Sequence, residues 1–138
     1  MNNQVKIVAS FYKFSKWENF HEYKNKLYNI ADSEGVVGTI LIAAEGINGS
    51  ISGYTESVNK VIKFIRSIEQ FNDIKPIISL AHGRTFRKMK VRIKKEIVSM
   101  GLENIEPENI TGELIDPDEW DRLVSRDDIL IIDTRNIY

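Results

Sequence analysis

The hydrophobic and polar positions along the chain follow two periods, which predicts a fold of mixed strands and helices. The segment Gln4–Phe14 is rich in β-branched and aromatic residues, as strands are, and 36–44 is almost continuously apolar, as a buried strand is. Between them, apolar residues recur every three or four positions. This spacing predicts a helix that opens at Ser15 with a capping box and runs to about Ser33.

The next segments extend this pattern to six elements. Residues 45–49 predict a tight turn with two glycines, and residues 50–53 predict the returning strand of a hairpin. Thr55 is the predicted cap of a second helix, and 73–80 is a further predicted strand. The resulting order is β-α-β-β-α-β. It predicts an α+β protein with a ferredoxin-like (acylphosphatase-like) fold, in which two helices cover one face of an antiparallel sheet.

One more strand is predicted after a loop, and it is strongly basic. Met89 and Val91 point one way in the alternating segment, and Lys88, Lys90, Arg92 and Lys94 point the other way, about 6–7 Å apart. This repeat is comparable to the spacing of phosphates along a nucleic-acid strand. The alternative is an edge strand whose lysines only prevent aggregation. The predicted phosphate contacts are Arg84, Arg87, Lys88, Lys90, Arg92 and Lys94.

Two further residues are candidates for nucleotide binding. Tyr12 lies on the first predicted strand beside Phe11. Because strand residues alternate between faces, only one of the two can be exposed for stacking on an unpaired base. Asn48 lies in the predicted turn, where it is either structural or a ligand of a phosphate or ribose. A site of the acylphosphatase type needs an arginine beside an asparagine, and Asn48 and Arg84 are the only suitable pair.

Charge divides the chain into two parts. Its 138 residues carry a net charge of −1, but residues 1–102 carry +7 and residues 103–138 carry −8. We therefore predict a ferredoxin-like domain at 1–102, an acidic linker at 103–112, and the opening of a second domain at 113–138. This last part is expected to contain a helix after Asp116 and a strand at 128–133, and to be cut off at Tyr138.

Composition excludes several classes of protein. The chain has no cysteine, which excludes disulfides, thiolate metal sites and a cysteine nucleophile within these residues. It has no run of eighteen apolar residues and no secretion signal, so we expect a cytoplasmic protein without a membrane partner. No catalytic set and no metal-binding spacing can be assembled.

Several motifs occur along the chain in a fixed order: 10–14, 41–52, Met89–Arg92 followed by Glu96–Val98, and 131–136. In these motifs and their order the chain resembles the tRNA uridine hydroxylase family that carries a rhodanese domain (TrhO/YceA). The resemblance implies an N-terminal ferredoxin-like domain that binds tRNA, joined to a rhodanese domain. It also implies oxygen-dependent 5-hydroxylation of the wobble uridine, uridine 34.

The resemblance sets limits as well. Asp133 and Arg135 would occupy structural positions of the first rhodanese strand, whereas the reactive rhodanese cysteine has no counterpart here. The chain alone is therefore expected to be inactive and to hold no cofactor, with molecular oxygen as co-substrate of the parent enzyme. We expect tRNA rather than DNA as the partner, and pairing of two copies through the exposed strand at 129–132. The alternatives are an acylphosphatase-like anion site or a protein-interaction module of a sulfurtransferase.

Overall fold

The protein folds around one five-stranded sheet. The computed structural model describes residues 5–99, 101–102, 106–107, 109 and 112–133. The strands are β1 (Lys6–Phe14), β2 (Val37–Ala43), β3 (Gly46–Tyr54), β4 (Ile77–Leu80) and β5 (Met89–Ile93). The helices are α1 (Tyr23–Ser33), α2 (Thr55–Arg66) and α3 (Pro117–Val124). The order across the sheet is β4-β1-β3-β2-β5, and all neighbours are antiparallel except β2 and β5.

The core lies between one face of the sheet and the helices α1 and α2. On β1, the side chains of Ile7, Ala9 and Phe11 are buried, and the residues between them lie on the opposite face. Leu27 of α1 and Val61 of α2 are fully buried in the same cluster. The first six elements confirm the predicted ferredoxin-like order, and β5 is the predicted extra strand. The face of the sheet opposite the helices is called the open face below.

The helix α1 begins eight residues later than the capping box at Ser15 predicts. The backbone N–H groups of Ser15 and Trp17 donate to the carbonyl oxygens of Glu45 and Ala44, at 2.9 and 2.8 Å. These bonds tie the segment after β1 to the β2–β3 turn, so residues 15–19 are not helical although the sequence predicts a helix there. A short 3₁₀ segment, Phe20–Glu22, then leads into α1.

The predicted turn at 45–49 is also wrong in its extent. Only Ala44 and Glu45 form the turn, and β3 begins at Gly46, so Asn48 lies inside a strand. Thr55 is the first residue of α2 rather than its cap. Its hydroxyl donates to the carbonyl oxygen of Val5 at 2.9 Å, which holds the start of α2 against the end of the sheet.

Of the helix and the strand predicted in the acidic C-terminal part, the described residues form only the helix. Asp116 caps α3 as predicted, accepting a hydrogen bond from the N–H of Glu119 at 2.8 Å. The predicted strand at 128–133 is not formed: the structure assigns no strand to these residues, and Ile129–Ile132 are exposed. Arg126 donates two hydrogen bonds to Asp128 and lowers the pKa of its carboxyl group. Arg135 and Tyr138 lie outside the described residues, and the predicted domain limits stay predictions.

Candidate nucleic-acid interface

The strand β5 forms one edge of the sheet and turns its charged residues to the open face. Its Met89 and Val91 are buried in the core at 7% exposure each, so Lys90 between them and Arg92 after them lie on the opposite side. Pairing with β2 places Lys90 beside Thr39 and Arg92 beside Leu41. The predicted alternation is confirmed for these four residues. It ends at Ile93, which is 38% exposed.

The basic edge consists of six cations along β5 and the loop before it. Five of them are exposed, and Lys90 is half-buried. None of the six is paired with a carboxylate within the described residues. Their charges therefore remain available to an external anion. The members are Arg84, Arg87 and Lys88 in the loop, Lys90 and Arg92 on β5, and Lys94 directly after it.

Outside the basic edge, ion pairs are formed by Lys13, Lys16 and Lys60, whereas other lysines such as Lys24 and Lys63 form none among the described residues. Lys60 donates to both carboxylate oxygens of Glu34 at 3.0 Å, and Lys13 is hydrogen-bonded to Asp73. The Lys13 ammonium group lowers the pKa of the Asp73 carboxyl below its ordinary value. These pairs neutralise charge at the helix layer and at the end of β1.

Tyr12 lies on the open face in the same row as Arg92. The register pairs Tyr12 with Asn48, Asn48 with Leu41, and Leu41 with Arg92. Three strand spacings of about 4.8 Å put the two ends of this row about 14 Å apart. Tyr12 is 57% exposed and Phe11 is buried, which confirms that only one of the two faces outward. The ring of Phe14 contacts Tyr12 edge-on, with centroids 6.2 Å apart.

Asn48 and Glu45 hold the chain that follows the basic edge. The Nδ2 group of Asn48 donates to the carbonyl oxygen of Ile97 at 3.1 Å, and the N–H of Ile97 donates to Oε1 of Glu45 at 2.5 Å. Ile97 is 2% exposed although it lies outside the main core cluster. The sequence leaves Asn48 either structural or a ligand of a phosphate or ribose; in the structure its Nδ2 group holds Ile97, and contact with a nucleotide stays a prediction.

Replacing Asn48 with alanine is expected to lower the free energy of unfolding by about 1–2 kcal/mol, because the carbonyl of Ile97 loses its partner. The amide of Ile97 should also exchange faster with solvent as the segment loosens. Urea denaturation and hydrogen exchange measure the two effects. Asn59→Ala, an exposed change on α2, is the control and should alter stability by less than about 0.5 kcal/mol. Unchanged exchange at Ile97 would show that Asn48 does not hold this segment.

The pair needed for an acylphosphatase-like site does not come together. Arg84 lines a pocket beside Tyr54, at the end of β3. Asn48 lies six residues before Tyr54 on that strand, so the two residues are about 20 Å apart. No group of three metal-ligating side chains occurs in the described part of the chain. The open face therefore offers cations and aromatic surface.

The sequence predicts the returning strand only at 50–53, and it does not reveal the bond between Ile97 and Glu45. With the strand starting at Gly46, strict alternation from Asn48 places Ser50, Ser52 and Tyr54 on the open face as well. The hydroxyls of Ser10 and Ser50 are hydrogen-bonded across β1 and β3 at 2.7 Å. The alternation is visible in the sequence once the turn is limited to two residues, but the glycines at 46 and 49 conceal it.

Comparison with known proteins agrees with this architecture. Residues 6–97 match the family described as the UPF0176 acylphosphatase like domain. Among solved structures, BlsA in its photo-activated state superposes with a TM-score of 0.56 at 11% sequence identity, covering 85% of this chain and 90% of that one. The BlrP1 BLUF structure gives 0.54 at 12% identity, covering 66% and 65%. At such identities the likeness concerns the fold alone.

Curated relatives match over almost the whole chain. A tRNA uridine(34) hydroxylase of Sinorhizobium medicae (strain WSM419) is 43% identical over 132 residues, which are 96% of this chain and 42% of the relative. The protein of the same name from Wolbachia pipientis subsp. Culex pipiens (strain wPip) is 41% identical over 96% of this chain and 47% of its own length. The chain thus spans somewhat less than half the length of these relatives. No helix in the described residues is long and apolar enough to cross a membrane.

Proposed function

The chain belongs to the UPF0176 N-terminal family of acylphosphatase-like domains, and we propose that it is the tRNA-docking part of a tRNA uridine(34) hydroxylase. The observation that carries the proposal is the basic edge, whose cations have no carboxylate partner within the described residues. It is joined to an open sheet face that presents Tyr12. The names of the relatives supply the substrate class.

The geometry supports separate roles for the cations of β5, which would bind phosphates, and for Tyr12, which would stack on a base. Lys90 and Arg92 project from one strand about 6–7 Å apart, so each can neutralise one phosphate of an RNA strand that follows the edge. Tyr12, about 14 Å across the face, is placed to stack on an unpaired base. Phosphate contacts position an RNA without reading its sequence, which suits a docking domain. Asn48 contributes by holding residues 94–97 behind the basic edge.

The chemistry is assigned to the rest of the parent protein. The sequence contains no cysteine, and the family resemblance places the reactive cysteine in a rhodanese domain. In this proposal the parent uses molecular oxygen to hydroxylate the wobble uridine in the cytoplasm. The chain described here binds the tRNA and is inactive alone. Pairing of two copies through the apolar segment at 129–132 stays a prediction.

Binding of unmodified tRNA to this chain over a salt series tests the proposal. If four cations of the basic edge contact phosphates, the affinity should fall about 100-fold between 50 and 200 mM salt. Duplex DNA is the control and should bind more weakly, because its phosphates are arranged differently from those of tRNA. Weak tRNA binding without salt dependence would contradict the proposal and favour a protein-interaction module.

A further inference from the structure

A pocket of about 200 Å³ opens at the other end of the open face, away from Tyr12. It lies where β1 begins and β3 ends, beneath the loop that leads into β5. Its volume corresponds to about seven water molecules at ~30 Å³ each, room for one aromatic base. The residues that define it are Lys6, Ser52, Tyr54, Arg84 and Phe86.

Ser52 gives the pocket a buried polar group. Its side chain lies on the open face, opposite the core residue Ile51, yet the residue is only 3% exposed. Its neighbour Ser50 is hydrogen-bonded to Ser10, but the hydroxyl of Ser52 has no hydrogen-bond partner among the described residues. The hydroxyl is therefore available to bond a ligand in the pocket. A hydroxyl both donates and accepts, as the edge of a nucleobase does.

The walls of the pocket combine aromatic surface with positive charge. Tyr54 and Phe86 supply the aromatic side chains, and the ammonium group of Lys6 lies 5.1 Å from the centre of the Tyr54 ring. Arg84 lines the same pocket from the loop, is exposed, and forms no ion pair within the described residues. Aromatic surface with nearby cations suits a planar base attached to a phosphate.

The pocket is continuous with the basic edge. Val37 lines it, and the N–H of the next residue, Gly38, donates to the carbonyl oxygen of Lys88 at 3.2 Å. An RNA strand that follows Lys90 towards Lys88 therefore arrives at the pocket. We propose that this pocket binds one unstacked nucleotide of the tRNA, with its base on Tyr54 and Phe86 against the Ser52 hydroxyl and its phosphate between Lys6 and Arg84. This inference rests on the proposed function, and it assigns part of the tRNA to a defined place.

Photo-crosslinking and affinity measurements test the pocket directly. Octauridylate carrying one 5-iodouracil should form an adduct at Tyr54 or Phe86, located by mass spectrometry. Tyr54→Leu should weaken octauridylate binding about tenfold, because a stacking surface is lost. Tyr28→Leu on α1 is a matched control, since Tyr28 is 41% exposed and Tyr54 is 43% exposed. Ser52→Val, which fills the pocket and removes the hydroxyl, should weaken binding similarly and serves if Tyr54→Leu fails to fold.

The outcomes separate the pocket from the proposed function. Adducts confined to Tyr12, with wild-type affinity in the Ser52→Val variant, would overturn the pocket and leave tRNA docking intact. If the chain binds no tRNA, the proposed function fails, and uridine monophosphate alone then tests the pocket. Saturable shifts of the Gly53 amide resonance that are lost in Ser52→Val would support a nucleotide pocket, and absence of such shifts would overturn it.

Discussion

Replacing Lys90, Arg92 and Lys94 together with glutamine is expected to weaken tRNA binding about 100-fold at 0.1 M salt. Each phosphate contact contributes roughly 0.7–0.9 to the slope of log affinity against log salt, so three contacts account for about two units of this slope. Losing about two units of slope lowers the affinity about 100-fold at 0.1 M salt. Glutamine keeps much of the aliphatic stem of each side chain and removes its charge. The fold should therefore survive, since Met89 and Val91 still fill the core from the same strand.

The measurement is fluorescence anisotropy with labelled tRNA at several salt concentrations. The control replaces Lys24, Lys26 and Lys63 with glutamine, which removes the same charge from exposed positions on the helix layer. This control should lose less than about threefold, because long-range attraction is screened beyond about 8–10 Å. Equal losses in the two triple variants would show that net charge, rather than the basic edge, governs binding.

Replacing Gly46 with alanine is expected to prevent stable folding. Gly46 has φ of +143°, and a Cβ atom built there would lie 2.1 Å from the carbonyl oxygen of Lys13. Because that oxygen is backbone of the neighbouring strand, only separation of β1 from β3 relieves the clash. The cost should be at least about 4 kcal/mol, a large part of the 5–15 kcal/mol that stabilises a typical domain.

Gly83→Ala provides the comparison for this variant. Gly83 also has a positive φ, +71°, but a Cβ atom there meets nothing within 4 Å. It should therefore cost only the conformational penalty, about 1 kcal/mol. Urea denaturation followed by circular dichroism separates the two variants. A Gly46→Ala protein that unfolds at the same urea concentration as Gly83→Ala would show that β1 and β3 do not approach each other this closely.

The elements with strong periodicity were predictable, and the connections between them were not. The apolar stripe of Val58, Val61, Ile62 and Ile65 on α2 is readable from the sequence and is buried, because an amphipathic helix places such a stripe on the core. The segment after β1 carries similar spacing, yet Ser15 and Trp17 are bonded to the β2–β3 turn instead of starting a helix. That bonding depends on residues about thirty positions away, which local propensity does not contain.

For the candidate site, the alternation that exposes Lys90 and Arg92 follows from the identity of the residues on β5. The two bonds from Asn48 and Glu45 to Ile97, by contrast, join residues 49 and 52 positions apart. At 128–133 the local pattern predicts a strand that the structure does not form. Its apolar composition is typical of a buried strand, but a strand exists only where a neighbour accepts its hydrogen bonds.

The sequence by itself determined the order of strands and helices along the chain, the alternation that points the cations of β5 away from the core, and the family of the chain. These features depend on local spacing and residue type, which the sequence contains in full. Only the tertiary structure decided that β5 lies parallel to β2, that Asn48 holds Ile97, and that Ser52, Tyr54 and Arg84 surround one pocket. The physical reason is that these contacts arise from strand pairing between distant segments, whose register is fixed by packing of the whole core.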